Sequence, residues 1–253
     1  MLTAITRKIS PNLASCQLEY LQREPIDVAR ASVQHRNYEA ALGRLGARVV
    51  SLPTEPDLPD CVFVEDPALV LDEIAILTRM GVESRRAEVD SLAAALARFR
   101  PVVRLREPAT LEGGDVVRMG KTLYVGLSRR TNAEGARQLA EVAEPHGYRV
   151  LPVPVTGCLH LKSACCAVSH DTVLANRALF DASALQCQVM DVPAEEPGAA
   201  DVLRIGGALL IPASFPRTAR LLEKTGFAVQ SLDVSELQKA EAGVTCMSLV
   251  FEA

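Results

Sequence analysis

The sequence predicts an α/β fold made of five pseudo-repeated strand–strand–helix–strand units, closed into one propeller-like domain. Short β-like runs recur along the chain with helical stretches between them. The positions Glu65, Glu112, Lys162, Leu203 and Cys246, one at or near the start of each run, follow one another about 40 to 50 residues apart, a spacing that suits a repeated supersecondary unit. A doubly wound sheet would also alternate strands with helices. Two features favour the repeat: no G-x-G-x-x-G follows a first strand, and charged residues recur where strands begin.

The runs are residues 63–71 (FVEDPALVL), 111–117 (LEGGDVV), 160–168 (HLKSACCAV), 203–211 (LRIGGALLI) and 244–251 (VTCMSLVF). Most are followed by a second strand-like run, at 74–78, 122–125 or 172–175. Helices are predicted over 83–99, 132–146 and 217–224, where apolar residues fall three and four apart. Gly46, Gly147 and Gly226 follow helical runs and precede strands such as 148–151 and 227–232, as helix-ending glycines do. The stretch 194–200 (AEEPGAA) is a loop and not a boundary, so residues 1–253 are read as a single catalytic domain.

Composition narrows the function classes. The 253 residues are 49% hydrophobic and 23% charged, with a net charge of −4 and both signs interspersed. Nucleic acid and anionic membrane surfaces call for a basic face, so neither is an expected partner. No apolar run reaches the roughly 18–20 residues of a membrane-spanning helix, and the first residues, MLTAITRKISPNL, carry charge where a signal peptide would be apolar. The seven cysteines match neither a disulfide framework nor a zinc ribbon. Reduced thiols and a cytoplasmic location are the expectation, with Cys165 and Cys166 as buried hydrophobes.

Among four histidines, His35 and His146 read as solvated helix residues, and Ser169-His170-Asp171 is a turn, since triad members meet in space and not in sequence. His160 stands at the mouth of a strand. A lone histidine there is structural more often than catalytic. Glu112 is followed by Gly113-Gly114, which lets a backbone or a substrate approach closely. Glu65-Asp66-Pro67 brings two carboxylates into an apolar stretch, where they need a cation. A guanidinium ligand would serve with bidentate hydrogen bonds, and so would a structural arginine. Cys246 is distinguished by register: it holds the place in its repeat that Glu112 holds in the second and His160 nearly holds in the third. A Cys–His pair with an orienting carboxylate is the general design of an activated thiolate.

The stretches IDVAR at 26–30, LPDCVFVEDP at 58–67, SRRAEVD at 84–90, LEGGDVV at 111–117, YVGLSRRTN at 124–132, HLKS at 160–163 and residues 237–248 resemble the dimethylarginine dimethylaminohydrolases. That family belongs to a guanidino-group-modifying superfamily with arginine deiminases and amidinotransferases. The resemblance implies a five-bladed α/β propeller (pentein) of ββαβ units. It implies Cys246 as nucleophile, His160 as general acid/base and Glu112 as the carboxylate that orients it. Glu65 and Asp66 would hold the guanidinium, Asp60 the amino-acid end, and Arg85 and Arg130 the substrate carboxylate. Leu18 is similar to the tip of a mobile lid, and Ala240 to a backbone contact near the nucleophile.

The implied reaction converts methylated arginine to citrulline plus dimethylamine or methylamine through a covalent thiouronium, with no cofactor and no metal. Its setting is nitric oxide-related amino-acid metabolism, and its assembly a homodimer. Arginine deiminases are similar but carry an aspartate two residues after the histidine; here that residue is Lys162, which suits a methylated nitrogen. A deiminase-like hydrolase of unmethylated arginine and an inactive arginine-analogue-binding propeller are the alternatives. Zinc held by Cys246 and His160 would fall short of the ligand count of a structural site.

Overall fold

One connectivity is used five times: two strands pair antiparallel, and a third lies parallel to the middle one across a crossover. The computed structural model describes all 253 residues. They divide into a split unit, residues 1–64 with 192–253, and a continuous unit, residues 65–191.

In the split unit, β1 (Leu2–Arg7) runs through helix α1 (Val28–Arg44) to β2 (Arg48–Leu52), parallel to it. The continuous unit holds three sheets. The strands β3 (Ala68–Val70) and β4 (Ala75–Leu77) form a hairpin, α2 (Glu88–Leu96) crosses, and β5 (Val102–Arg104) returns parallel to β4. The same order gives β6 (Val116–Met119), β7 (Thr122–Leu127), α3 (Ala133–Ala143) and β8 (Arg149–Pro154). After the one-turn helix α4 (Leu161–Ala164) come β9 (Cys165–Ala167), β10 (Thr172–Ala175) and β11 (Gln188–Asp191). Back in the split unit, β12 (Leu203–Ile205), β13 (Ala208–Pro212), α5 (Pro216–Lys224) and β14 (Ala228–Leu232) complete a fourth full pattern. After the short α6 (Ser235–Gln238), β15 (Leu249–Glu252) pairs antiparallel with β1 and supplies the first sheet with its hairpin partner. These five ββαβ-type sheets are the five repeats that the spacing anticipates.

Local chemistry explains the punctuation. Gly46, Gly147 and Gly226 have φ of +94°, +81° and +96°, the left-handed conformation that ends a helix without a Cβ penalty. Asp27 and Asn132 start α1 and α3 by accepting the amides of Arg30 at 2.9 Å and Gly135 at 2.7 Å. The repeat of β9–β11 departs from the pattern, because its crossover holds only a 3-10 turn at Ala182–Ala184. About a dozen residues is the minimum for a parallel crossover, and too few for a helix with its loops.

The opening halves of the runs at 63–71, 111–117, 160–168 and 244–251 are not strand: they are turns, a 3-10 turn and α4, and the strand begins two to five residues past the charged or thiol residue. They read as strand because they are buried, yet side-chain carboxylates, not a neighbouring strand, take several of their amides. The run at 203–211 is two strands, β12 and β13, joined at Gly206-Gly207. His35 is not solvated. It is buried on the face of α1 that carries Ala31, Gln34, Tyr38, Ala41 and Leu42, the three- and four-residue stripe of a packed helix.

Each unit has its own core. Leu13, Tyr38, Leu42, Phe63, Leu210 and Val244 belong to the cluster of the split unit. Leu71, Ile76, Leu111, Leu123 and Leu139 form one cluster of the continuous unit, and Leu161, Cys165 and Val173 belong to another.

Candidate active site

The candidate site residues lie in the loops that lead into the first strand of each hairpin. In the continuous unit these are Glu65-Asp66 ahead of β3, Glu112 ahead of β6 and His160 ahead of β9. A loop in this place can turn a side chain out of the sheet register while staying anchored by the strand behind it.

His160 is buried, and its Nε2 lies 2.7 Å from Glu112 Oε2. Its Nδ1 lies 3.8 Å from Asp66 Oδ1, so Nδ1 is the ring nitrogen beyond hydrogen-bonding distance of its carboxylate neighbour. Burial alone would depress the imidazole, but Asp66, the bond to Glu112, Asp115 and the Glu112 charge outweigh it and raise His160 to about 9. Glu112 shifts the other way: burial pushes it up, but the His160 bond and the charges of His160, Arg85 and Arg130 hold it well below the usual carboxylate range. At neutral pH the pair is an imidazolium on a carboxylate. Glu112 also accepts the amide of Gly81 at 3.0 Å, and Arg130 Nη1 lies 3.3 Å from its Oε2.

The glycines behave as expected. A Cβ on Gly113 would come within 2.0 Å of the Glu65 carbonyl oxygen, and one on Gly114 within 2.5 Å of His160 Nδ1 and 2.8 Å of Asp66 Oδ1. The amides of both donate to Asp66, Gly113 to its carbonyl at 2.9 Å and Gly114 to Oδ1 at 3.2 Å. Two side-chain-free residues thus let three of these loops close on one another.

Arg85 is buried and committed to carboxylates: Nη1 donates to Asp66 Oδ2 at 2.8 Å, and Nε and Nη2 grip Glu88 bidentately at 3.0 and 2.9 Å. Lys162 Nζ donates to Glu65 Oε1 at 2.5 Å. Asp66, Glu112 and His160 place ligand-capable atoms within 4.8 Å of one another, a grouping that could hold a metal ion. The protonated imidazole and the flanking arginines already meet the charge of these carboxylates.

The split unit holds Cys246, Ala240, Leu18 and Asp60. Ala240 belongs to its apolar cluster, and Leu18 and Cys246, both half-buried, pack against it. Asp60 is buried and accepts the amide of Gln17 at 3.1 and 3.2 Å. All seven cysteines are free thiols. Burial pushes the thiols of Cys16, Cys165 and Cys187 up, and that of Cys158 up to about 12, which leaves these four poor nucleophiles.

Three participants escape a reading of the sequence. Asp201 is buried and accepts the amide and hydroxyl of Thr245, at 3.1 and 3.0 Å, next to Cys246. Its signal was its place, two residues before β12, where Asp66 stands before β3. Asp115 is fully buried beneath His160, accepts the Leu161 amide at 2.9 Å and the Ser128 hydroxyl at 2.7 Å, and is raised by burial. Glu88 faces Arg85 one helical turn on, a pairing legible as an i, i+3 spacing.

The fold and this imidazolium–carboxylate cluster define a class. A family model described as Arginine deiminase matches residues 27–202. An N(G),N(G)-dimethylarginine dimethylaminohydrolase of Streptomyces coelicolor is 43% identical, over 97% of this chain and 95% of its own. One of Pseudomonas aeruginosa is 38% identical over 89% and 90%. A solved cysteine-to-serine mutant of the dimethylarginine dimethylaminohydrolase of Pseudomonas aeruginosa, complexed with citrulline, superposes with a TM-score of 0.94 at 35% identity, over 99% of this chain and 100% of that one. The N-terminal domain of a cyanobacterial arginine dihydrolase, 18% identical with a TM-score of 0.86, shares the fold. The chain belongs to the arginine deiminase family as that model draws it and, within it, to the dimethylarginine dimethylaminohydrolases.

Proposed function

We propose that the protein hydrolyses Nω-methylated arginines to citrulline and dimethylamine or methylamine. The observation that carries this reading is the buried His160 imidazole, its Nε2 2.7 Å from Glu112 Oε2 and its Nδ1 3.8 Å from Asp66 Oδ1, in a chain of this family. A guanidinium is resonance-stabilised and a poor electrophile, so it must be held rigidly and met by a strong nucleophile.

In the proposed reaction Glu65 and Asp66 hold the guanidinium, Asp60 the amino group, and Arg85 and Arg130 the carboxylate; Arg85 also fixes Asp66. The Cys246 thiolate attacks the guanidinium carbon, forming a C–S bond. His160 gives its proton to the departing dimethylamine as the C–N bond breaks, which leaves an S-alkylthiouronium. Water, losing a proton to the now neutral His160, attacks the same carbon; the adduct gives its second proton to solvent as the C–S bond breaks, which releases citrulline and the thiolate. Leu18 covers the substrate, and the backbone at Ala240 contacts it. Lys162 favours a methylated nitrogen, because its ammonium already occupies Glu65 Oε1 at 2.5 Å and leaves one fewer acceptor seeking a substrate N–H.

The reading extends to the setting. No helix is long and apolar enough to cross a membrane, and free thiols suit the cytoplasm. A cytoplasmic homodimer acting in nitric oxide-related amino-acid metabolism, without nucleic-acid or membrane partners, is the proposed context. The test is citrulline release from dimethylarginine, monomethylarginine and arginine at matched concentrations. The methylated substrates are expected to turn over faster; a preference for arginine would contradict the substrate assignment.

A further inference from the structure

Between Cys16 and Pro25 the chain has no helix or strand, yet its backbone amides are gathered by carboxylates from distant parts of the split unit. Asp60 takes Gln17. Glu241 takes the next three that follow Leu18: Glu19 at 3.0 and 3.1 Å, Tyr20 at 2.6 Å and Leu21 at 2.5 Å. Three consecutive N–H groups converging on one anion form a nest, with the acceptor supplied by a side chain more than 200 positions away in sequence. Arg23 stiffens the same segment by donating to the carbonyls of Ala14 and Cys16 at 2.6 Å each.

Glu241 has a φ of +59° and is the one non-glycine residue of the chain with positive φ. A side chain in that region is strained, and glycine would serve the turn better. The glutamate is therefore explained by its carboxylate and not by the turn. It directly follows Ala240, which lies in the apolar cluster that Leu18 and Cys246 pack against.

We propose that Glu241 is a positioning residue that latches the strap 17–21, and with it Leu18, onto the Ala240 loop, and so governs substrate capture. The proposal rests on the reading of Leu18 as the cover of the substrate. With the latch formed, the ordering of the strap is complete before substrate arrives; without it, that ordering is drawn from substrate binding energy. The latch touches no reacting atom, so it acts on KM and leaves the chemical step alone.

Two variants separate the latch from the turn. Glu241→Gly keeps the left-handed backbone and removes the acceptor; Glu241→Gln keeps the size and removes the charge. Hydrogen exchange on the ligand-free protein is expected to show the amides of 19–21 exchanging about tenfold faster in Glu241→Gly, the scale of one lost set of charge-assisted bonds. Peptides elsewhere and Tm should be unchanged, or Tm raised by relief of the positive φ. With dimethylarginine, KM should rise about tenfold and kcat stay within about twofold, with Glu241→Gln in between. Equal exchange at 19–21 in wild type and both variants, or a fall in kcat at constant KM, would overturn the latch. If the wild type turned over no dimethylarginine, the failure would belong to the substrate reading, and the exchange result would still decide the latch.

Discussion

The two units use their charged groups differently. The continuous unit holds charge that is already placed: His160, Glu112, Asp66, Arg85, Glu88 and Arg130 are buried and bonded to one another, with two glycines removing the bulk that would separate them. The split unit holds a half-buried thiol and an apolar cluster, and its loops are organised by carboxylates that collect amides: Asp60, Asp201 and Glu241. A buried charge network is rigid, because displacing any member leaves another unpaired. A strap held by amide-to-carboxylate bonds at the surface can release and re-form. Under the proposed reaction, proton handling falls to the rigid unit, and substrate admission, with the nucleophile, to the adjustable one.

The sharpest way to break this contrast is Glu112→Gln. It removes one of the three anions that raise His160, the one bonded to its ring, and costs about 10²–10³ in kcat. The pH-rate limb that reports His160 should move down, toward the ordinary imidazole value. An unchanged limb would mean that Glu112 does not set the proton affinity of His160. A smaller effect is expected for Lys162→Met. Releasing Glu65 from its 2.5 Å partner should shift the kcat/KM ratio toward unmethylated arginine by several-fold, on the order of 1 kcal/mol. A ratio that stays constant would remove Lys162 from substrate choice.

The smallest effect is on stability, and it has opposite signs in the two units. The pKa of His160 is raised to about 9 from an ordinary 6.5. The folded state therefore binds the proton more tightly than the unfolded one, and the stabilisation is complete below 6.5 and lost as pH rises through about 9. His35, in the split unit, is lowered by burial, with Glu39 opposing. Its stabilisation is present above 6.5 and lost as pH falls below that value, because the unfolded chain takes up the proton first. Urea midpoints at acidic, neutral and alkaline pH should show His160→Asn flattening the alkaline limb and His35→Gln the acidic one. Swapped limbs would contradict the electrostatic account.

Much of this was legible in the sequence. The repeat spacing, the helix-ending glycines at 46, 147 and 226, and the strand at 172–175 appear where apolar periodicity and glycine chemistry put them. The loops before the strands read as strand because burial and strand pairing leave the same apolar signature; which groups take the amides depends on contacts between distant segments. Asp201 is masked by Leu203, two residues on, which has the stronger strand signal. His35 lies on the packed stripe of α1, but a histidine among polar neighbours hides it. The positive φ of Glu241 leaves no trace in composition at all.

The central claim is that Cys246, one free thiol among seven, is the nucleophile. Mass spectrometry after a brief incubation with dimethylarginine and an acid quench tests it most directly. The account predicts a thiouronium adduct on the peptide containing Cys246, absent in Cys246→Ser, which also releases no citrulline. An adduct on another cysteine, or citrulline release that continues in Cys246→Ser, would contradict it.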